Sequence, residues 1–206
     1  MKGAKACVSS TSGTIWPYKL ITGLLSKITK TYGNVINVQA LTPVTEVITA
    51  KPTSDRATTV HTISTPRGSV QASKVIYATN AYTAGLLPEY AANIIPSKGL
   101  CCHLTTPKKA PFLPYSYLIY AEDGSGKSYL IPRPDGSIIV GGAMLTYAAD
   151  REKWFNVIDD STLIEPTKHY YDGFMQRTFR GWEDSGTAVR EMWTGSRHDP
   201  GKTLEN

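Results

Sequence analysis

The run Tyr129-Leu130-Ile131-Pro132-Arg133-Pro134-Asp135-Gly136-Ser137-Ile138-Ile139-Val140-Gly141-Gly142 does most to limit the possible folds. Two short, β-branched stretches flank Pro-Asp-Gly, in which proline presets one turn dihedral and glycine accepts the other. Strands joined by so short a connection must run antiparallel. Residues 100–104, 115–120, 128–132 and 137–140 share this texture, short and apolar between Gly and Pro. The second half is therefore predicted to be an antiparallel sheet with peripheral helices. One of these helices is expected over 167–179, with Tyr170, Tyr171 and Phe174 as its apolar side.

The first half reads differently. Trp16-Pro17 opens a helix, proline at the first helical position losing nothing by its missing N–H. Leu20, Leu24 and Ile28 recur every fourth residue with Ile21 and Leu25 beside them, and Gly33 is expected to close the helix in a left-handed cap. Strands are predicted over 35–41, 44–49 and 58–64, a hairpin turn at Pro66-Arg67-Gly68, a short buried strand over 74–78 and a helix over 81–90. There is no internal repeat and no long linker.

Composition narrows the class. A chain of 206 residues, 41% hydrophobic and 19% charged, can bury a core. No run approaches the ~18 apolar residues of a membrane span. The start, Met1-Lys2-Gly3-Ala4-Lys5-Ala6-Cys7, has charge but no apolar stretch behind it, so it does not read as a signal peptide. Cys7, Cys101 and Cys102 cannot make a disulfide framework, and a reducing, cytoplasmic setting is expected. The net charge of +5 is uneven: residues 1–74 hold nine Lys/Arg against Glu46 and Asp55, a balance of +7. The lysines are not interleaved with aromatics as a nucleic-acid stacking platform requires, so neither nucleic acid nor membrane is an expected partner.

Several local patterns carry less chemistry than they suggest. Residues 121–128, Ala-Glu-Asp-Gly-Ser-Gly-Lys-Ser, fit a loose phosphate-loop pattern. Such a loop needs a helix to start at the lysine, whereas Tyr129-Leu130-Ile131-Pro132 is strand and turn. Cys101-Cys102-His103 alternate between sheet faces, so at most two could share an ion, and no metal site is expected. No Gly-x-Ser-x-Gly elbow anchors a hydrolase triad. Lys74-Val75-Ile76-Tyr77-Ala78-Thr79-Asn80-Ala81-Tyr82 is richer, because small side chains at the end of a strand let backbone approach a ligand.

In this order, Trp16-Pro17-Tyr18-Lys19, Thr42-Pro43-Val44-Thr45-Glu46-Val47, Val75–Tyr82, Pro96-Ser97-Lys98-Gly99, Tyr129–Gly142 and Trp193-Thr194-Gly195-Ser196-Arg197 resemble the FAD-dependent oxidoreductases of the D-amino-acid oxidase type, which include glycine and sarcosine oxidases. The resemblance implies α/β plus α+β architecture: a partial Rossmann-like FAD-binding domain over 1–95, an antiparallel-sheet substrate domain over 96–180, and a return to the first domain over 181–206. It implies FAD as cofactor, with Val44 at the adenine and Ala78, Thr79, Asn80 and Ala81 beside the dinucleotide. It places Tyr129 and Arg197 on an amine or amino-acid substrate, the arginine gripping a carboxylate by two charge-assisted hydrogen bonds. The implied reaction is hydride transfer to flavin from the carbon next to nitrogen; no catalytic acid or base is identified.

The sequence departs from the family in having no Gly-x-Gly-x-x-Gly, the glycine loop that holds the pyrophosphate, since after Gly124-Ser125-Gly126 the last glycine position is Tyr129. Beyond Gly195 the run Ser196-Arg197-His198-Asp199-Pro200-Gly201 replaces the segment that closes the flavin site. The chain thus reads as the middle and later part of such an oxidoreductase. A non-catalytic fragment or truncated product of the family, and more remotely a phosphate-loop NTP-binding protein, are the alternatives. Oligomeric state and substrate identity are not legible.

Overall fold

The computed structural model describes residues 1–50, 59–120 and 126–199, with backbone only at 198 and 199. They form two compact units, one within residues 13–79 and 85–88, the other within residues 1–12, 80–84 and 89–199. The architecture is mixed α/β, and every described strand pairing is antiparallel.

The smaller unit holds helix α1 (Pro17–Tyr32) and a three-stranded meander of β1 (Glu46–Ala50), β2 (Val60–Thr65) and β3 (Gly68–Ala72). The helix begins at Pro17 as expected, and Leu20 N–H donates to the Trp16 carbonyl at 3.1 Å. Its end differs from expectation, because Gly33 is right-handed with φ −61° and the Tyr32 carbonyl instead accepts from Val35 and Ile36. Leu20, Leu24 and Ile28 stay 40–46% exposed. Between β2 and β3 the predicted turn is present, with Thr65 paired to Gly68 and Gly68 at φ +123°, a region glycine tolerates.

Two predicted strands of this unit are absent. Residues 35–41 are irregular, held where Arg67 Nη1 donates to Gln39 Oε1 at 2.7 Å and to Thr42 Oγ1 at 3.1 Å. Residues 74–78 are also irregular, and Lys74, Ile76 and Ala78 are exposed, so no short buried strand forms there. A β-branched run becomes a strand only when a neighbour completes its ladder, and none does among the described residues. The helix predicted over 81–90 is two short 3-10 turns, Asn80–Gly85 and Pro88–Tyr90.

The larger unit is built on a five-stranded sheet in the order β5-β6-β7-β4-β8. Its strands are β4 (Ile95–Thr105), β5 (Tyr117–Tyr120), β6 (Lys127–Pro132), β7 (Ile138–Gly141) and β8 (Ala188–Asp199). Leu100, Cys102, Leu104, Leu130, Ile138 and Val140 point to one face, where Tyr171, Phe174, Met175, Phe179 and Trp182 cover them. The β6–β7 hairpin forms at Pro134-Asp135-Gly136, with Arg133 N–H on the Ser137 carbonyl at 2.8 Å and Gly136 at φ +81°. The helix predicted over 167–179 shrinks to α2 (Phe174–Thr178), because Gly173 at φ +64° interrupts it; the aromatics still face the core.

Candidate functional site

Strand alternation gives the sheet a second face, opposite the core. Register aligns Tyr129 with Gly141, Gly141 with Cys101, and Cys101 with Trp193, one lateral row across β6, β7, β4 and β8. Two residues further along, Gly99 opposes Gly195, and beyond that Ser97 opposes Arg197. The face therefore carries Tyr129, Cys101, Trp193 and Arg197 around backbone that bears no side chains.

The glycines play two roles. A Cβ on Gly141 would lie 2.1 Å from the Tyr129 hydroxyl and 2.6 Å from the Leu100 carbonyl oxygen. Glycine there lets the phenol lie flat over β7 and reach β4, where its hydroxyl donates to the Leu100 carbonyl at 3.4 Å and to Cys101 Sγ at 3.5 Å. Gly195 has nothing within 4 Å of a built Cβ, and Gly99 meets only the Gly195 carbonyl oxygen at 3.8 Å. That pair forms an open shelf where a flat group can approach the backbone.

Burial pushes the Tyr129 phenol far above the ordinary tyrosine range; its bond with Cys101 acts in the same direction, and the Arg197 guanidinium opposes both. Burial likewise raises the Cys101 thiol, against the pull of Tyr129. Both groups are neutral near pH 7, so Arg197 is the fixed charge among these four. An exposed guanidinium beside an uncharged shelf suits an anionic group such as a carboxylate.

Of the sequence-derived residues, Tyr129 and Arg197 share this face but do not touch. Their backbones are three strands apart, ~14 Å sideways, and four residues, ~13 Å, apart along the strands, a span of ~19 Å that the phenol's reach toward β4 shortens. Val44 lies just before β1, 39% exposed, and Ala78 and Thr79 are irregular backbone of the same unit. Asn80, at φ +48°, and Ala81, 1% exposed, open the first 3-10 turn in the larger unit. There Tyr82 donates to the Ile158 carbonyl and Asp160 Oδ2, both at 3.4 Å.

Sequence reasoning overlooked Cys101, Gly99 and Gly195 as parts of one face. Register was the missing signal, because it joins Gly99 to Gly195, 96 positions apart in the chain. In the phosphate-loop pattern, Ala121–Ser125 lie outside the described residues, and Lys127 opens strand β6 where that site needs a helix. Among the described residues no group of three His, Cys, Asp or Glu is placed to hold a metal, and no helix is long and apolar enough to cross a membrane.

Residues 2–203 match the family model described as DAO, FAD dependent oxidoreductase. The chain belongs to this family of FAD-dependent oxidoreductases. Among solved structures its fold is similar to the crystal structure of glycine oxidase from Geobacillus kaustophilus, at a TM-score of 0.50 and 18% sequence identity, over 77% of this chain and 36% of that one. The chain thus spans about a third of the length of that oxidase, and a likeness at this identity speaks to fold alone. Comparison with curated proteins gives no match.

The residues present fit the family's cofactor in part. The Gly99–Gly195 shelf has room for a flat ring, whereas no glycine loop of the sequence offers a pyrophosphate cradle.

Proposed function

We propose that this chain supplies the substrate-facing sheet of an FAD-dependent oxidoreductase acting on an amine or amino acid. The observation that carries the reading is the shared face: Tyr129 and Arg197 border a glycine shelf on the side of the sheet away from the core. Arg197 binds a substrate carboxylate, and Tyr129, neutral and held by Cys101, offers a hydroxyl and an aromatic edge to the substrate body. Bound FAD would accept the hydride from the carbon next to nitrogen, and the protein's part is to orient that C–H and exclude water.

Residues 1–95 are read as part of a Rossmann-like FAD-binding domain, 96–180 as the substrate domain and 181–206 as a return to the first. Val44 serves the adenine side, and Ala78, Thr79, Asn80 and Ala81 flank the dinucleotide. The +7 balance of residues 1–74 suits an anionic dinucleotide.

The test supplies the purified protein with excess FAD and follows the flavin's visible band without oxygen while glycine, sarcosine and D-amino acids are added. A member of this substrate set should bleach the band, and Arg197→Ala should raise the concentration needed by about tenfold or more. If flavin is demonstrably bound and no substrate bleaches it, the catalytic reading fails and a non-catalytic member of the family remains.

A further inference from the structure

β8 is an edge strand of the five-stranded sheet, so its outward N–H and carbonyl groups need partners other than a strand. Around Gly195 those partners come from residues 157–162. Ser196 N–H donates to Asp160 Oδ2 at 3.0 Å, and Ser196 Oγ donates to the Ile158 carbonyl at 3.3 Å. Thr194 Oγ1 donates to the Asp160 carbonyl at 2.6 Å and to the Thr162 carbonyl at 3.0 Å. Arg197 follows directly in the chain.

The 157–162 segment is itself fixed. Asp159 Oδ1 accepts from Ser161 N–H at 2.9 Å and from Ser161 Oγ at 2.6 Å, which closes an Asx turn. Lys98, 5% exposed on β4, donates from Nζ to Thr162 Oγ1 at 2.8 Å. On its other side, Asp160 Oδ2 accepts from the Tyr82 hydroxyl at 3.4 Å. Tyr82 stands in the 3-10 turn Asn80–Gly85, just after Asn80 and Ala81, and Thr83 Oγ1 closes that turn on the Asn80 carbonyl at 2.8 Å. The Ile158 carbonyl is shared by Tyr82 and Ser196 in the same way, but it is backbone; Asp160 supplies the side chain that joins turn and strand. Among the described residues no Lys, Arg or His pairs with Asp160, so its carboxylate serves a backbone N–H and a phenol.

We propose that Asp160 is a positioning residue that ties the turn bearing Asn80 and Ala81 to the strand bearing Arg197. Through Ser196 N–H it fixes the backbone beside the arginine, and through Tyr82 it fixes the turn, so the two keep one relative placement. An ionised acceptor suits this task, because hydrogen bonds to a carboxylate are stronger than those between neutral groups. Calling the turn the cofactor side and Arg197 the substrate side rests on the function proposed above; the link through Asp160 does not.

Amide hydrogen exchange on the intact chain, read residue by residue by NMR, tests the link. Asp160→Ala should speed exchange of the Ser196 amide by about tenfold or more and also speed exchange within 81–85. Asp160→Asn, which keeps an acceptor, should restore most of the protection in both places. Tyr82→Phe should loosen the turn, and adding Asp160→Ala to it should loosen the turn no further. Unchanged Ser196 exchange in Asp160→Ala, an effect confined to one of the two segments, or no rescue by Asp160→Asn would overturn the proposal. Should Asp160→Ala misfold, Tyr82→Phe still decides, since it removes a single oxygen and an unchanged turn would overturn the link. With FAD supplied, Asp160→Ala should raise the substrate concentration needed for bleaching, but not in an Arg197→Ala background. A wild-type chain that never bleaches counts against the proposed function alone, and the exchange data still decide the role of Asp160.

Discussion

Gly141 and Gly195 lie on the same sheet face, yet a methyl group has different consequences at each. At Gly141 it meets the Tyr129 ring and the immovable Leu100 carbonyl, so Gly141→Ala should destabilise the protein by about 1–3 kcal/mol and displace the phenol. Gly195→Ala enters open space and should change stability by no more than ~0.5 kcal/mol. Urea midpoints of the two variants check the contrast. Cys102, fully buried on the core face, has its thiol pushed up from 9.0 to about 12 by burial, with Cys101 and Asp172 adding to the shift. A folded state that holds this proton more tightly than the unfolded chain loses stability as pH climbs from 9 toward 12. Urea midpoints measured against pH should therefore fall above pH 9, and Cys102→Ala should flatten the decline; a flat wild-type profile would contradict this. Half-buried Tyr129 and buried Tyr171 act in the same direction, so some slope should survive the substitution.

Elements were legible in proportion to how local their causes are. Pro134-Asp135-Gly136 sets its own dihedrals, and Asp135 caps Ser137 within the same turn, so the hairpin could be read from one short window. The start of α1 was legible for the same reason. The strand expected over 74–78 does not form, because a ladder needs a partner that no local pattern reveals. The curtailed helix before Phe179 could have been anticipated from Gly173, which favours a left-handed turn. Leu20, Leu24 and Ile28 form the expected apolar stripe, but it remains uncovered. Such a stripe favours self-association. Leu20→Gln with Leu24→Gln should accordingly reduce light scattering at constant concentration while changing unfolding stability by less than ~1 kcal/mol. A large loss of stability would mean that the stripe is buried in solution.

At the scale of the whole molecule, family membership and the candidate site rest on different kinds of information. Six short segments in the right order sufficed for the family resemblance, and they include Tyr129 and Arg197. The face those two residues share became visible only through strand register, which also brought Cys101, Gly99 and Gly195 into it. The chain covers 36% of the matched glycine oxidase, and its sequence has the shelf and the arginine but no glycine cradle for a pyrophosphate. The most direct measurement is a calorimetric titration of this chain with FAD and, separately, with riboflavin. Weak binding of both is expected, with affinities within about tenfold, because the ring meets the open shelf and the diphosphate finds no cradle. Submicromolar FAD binding, far tighter than that of riboflavin, would contradict it.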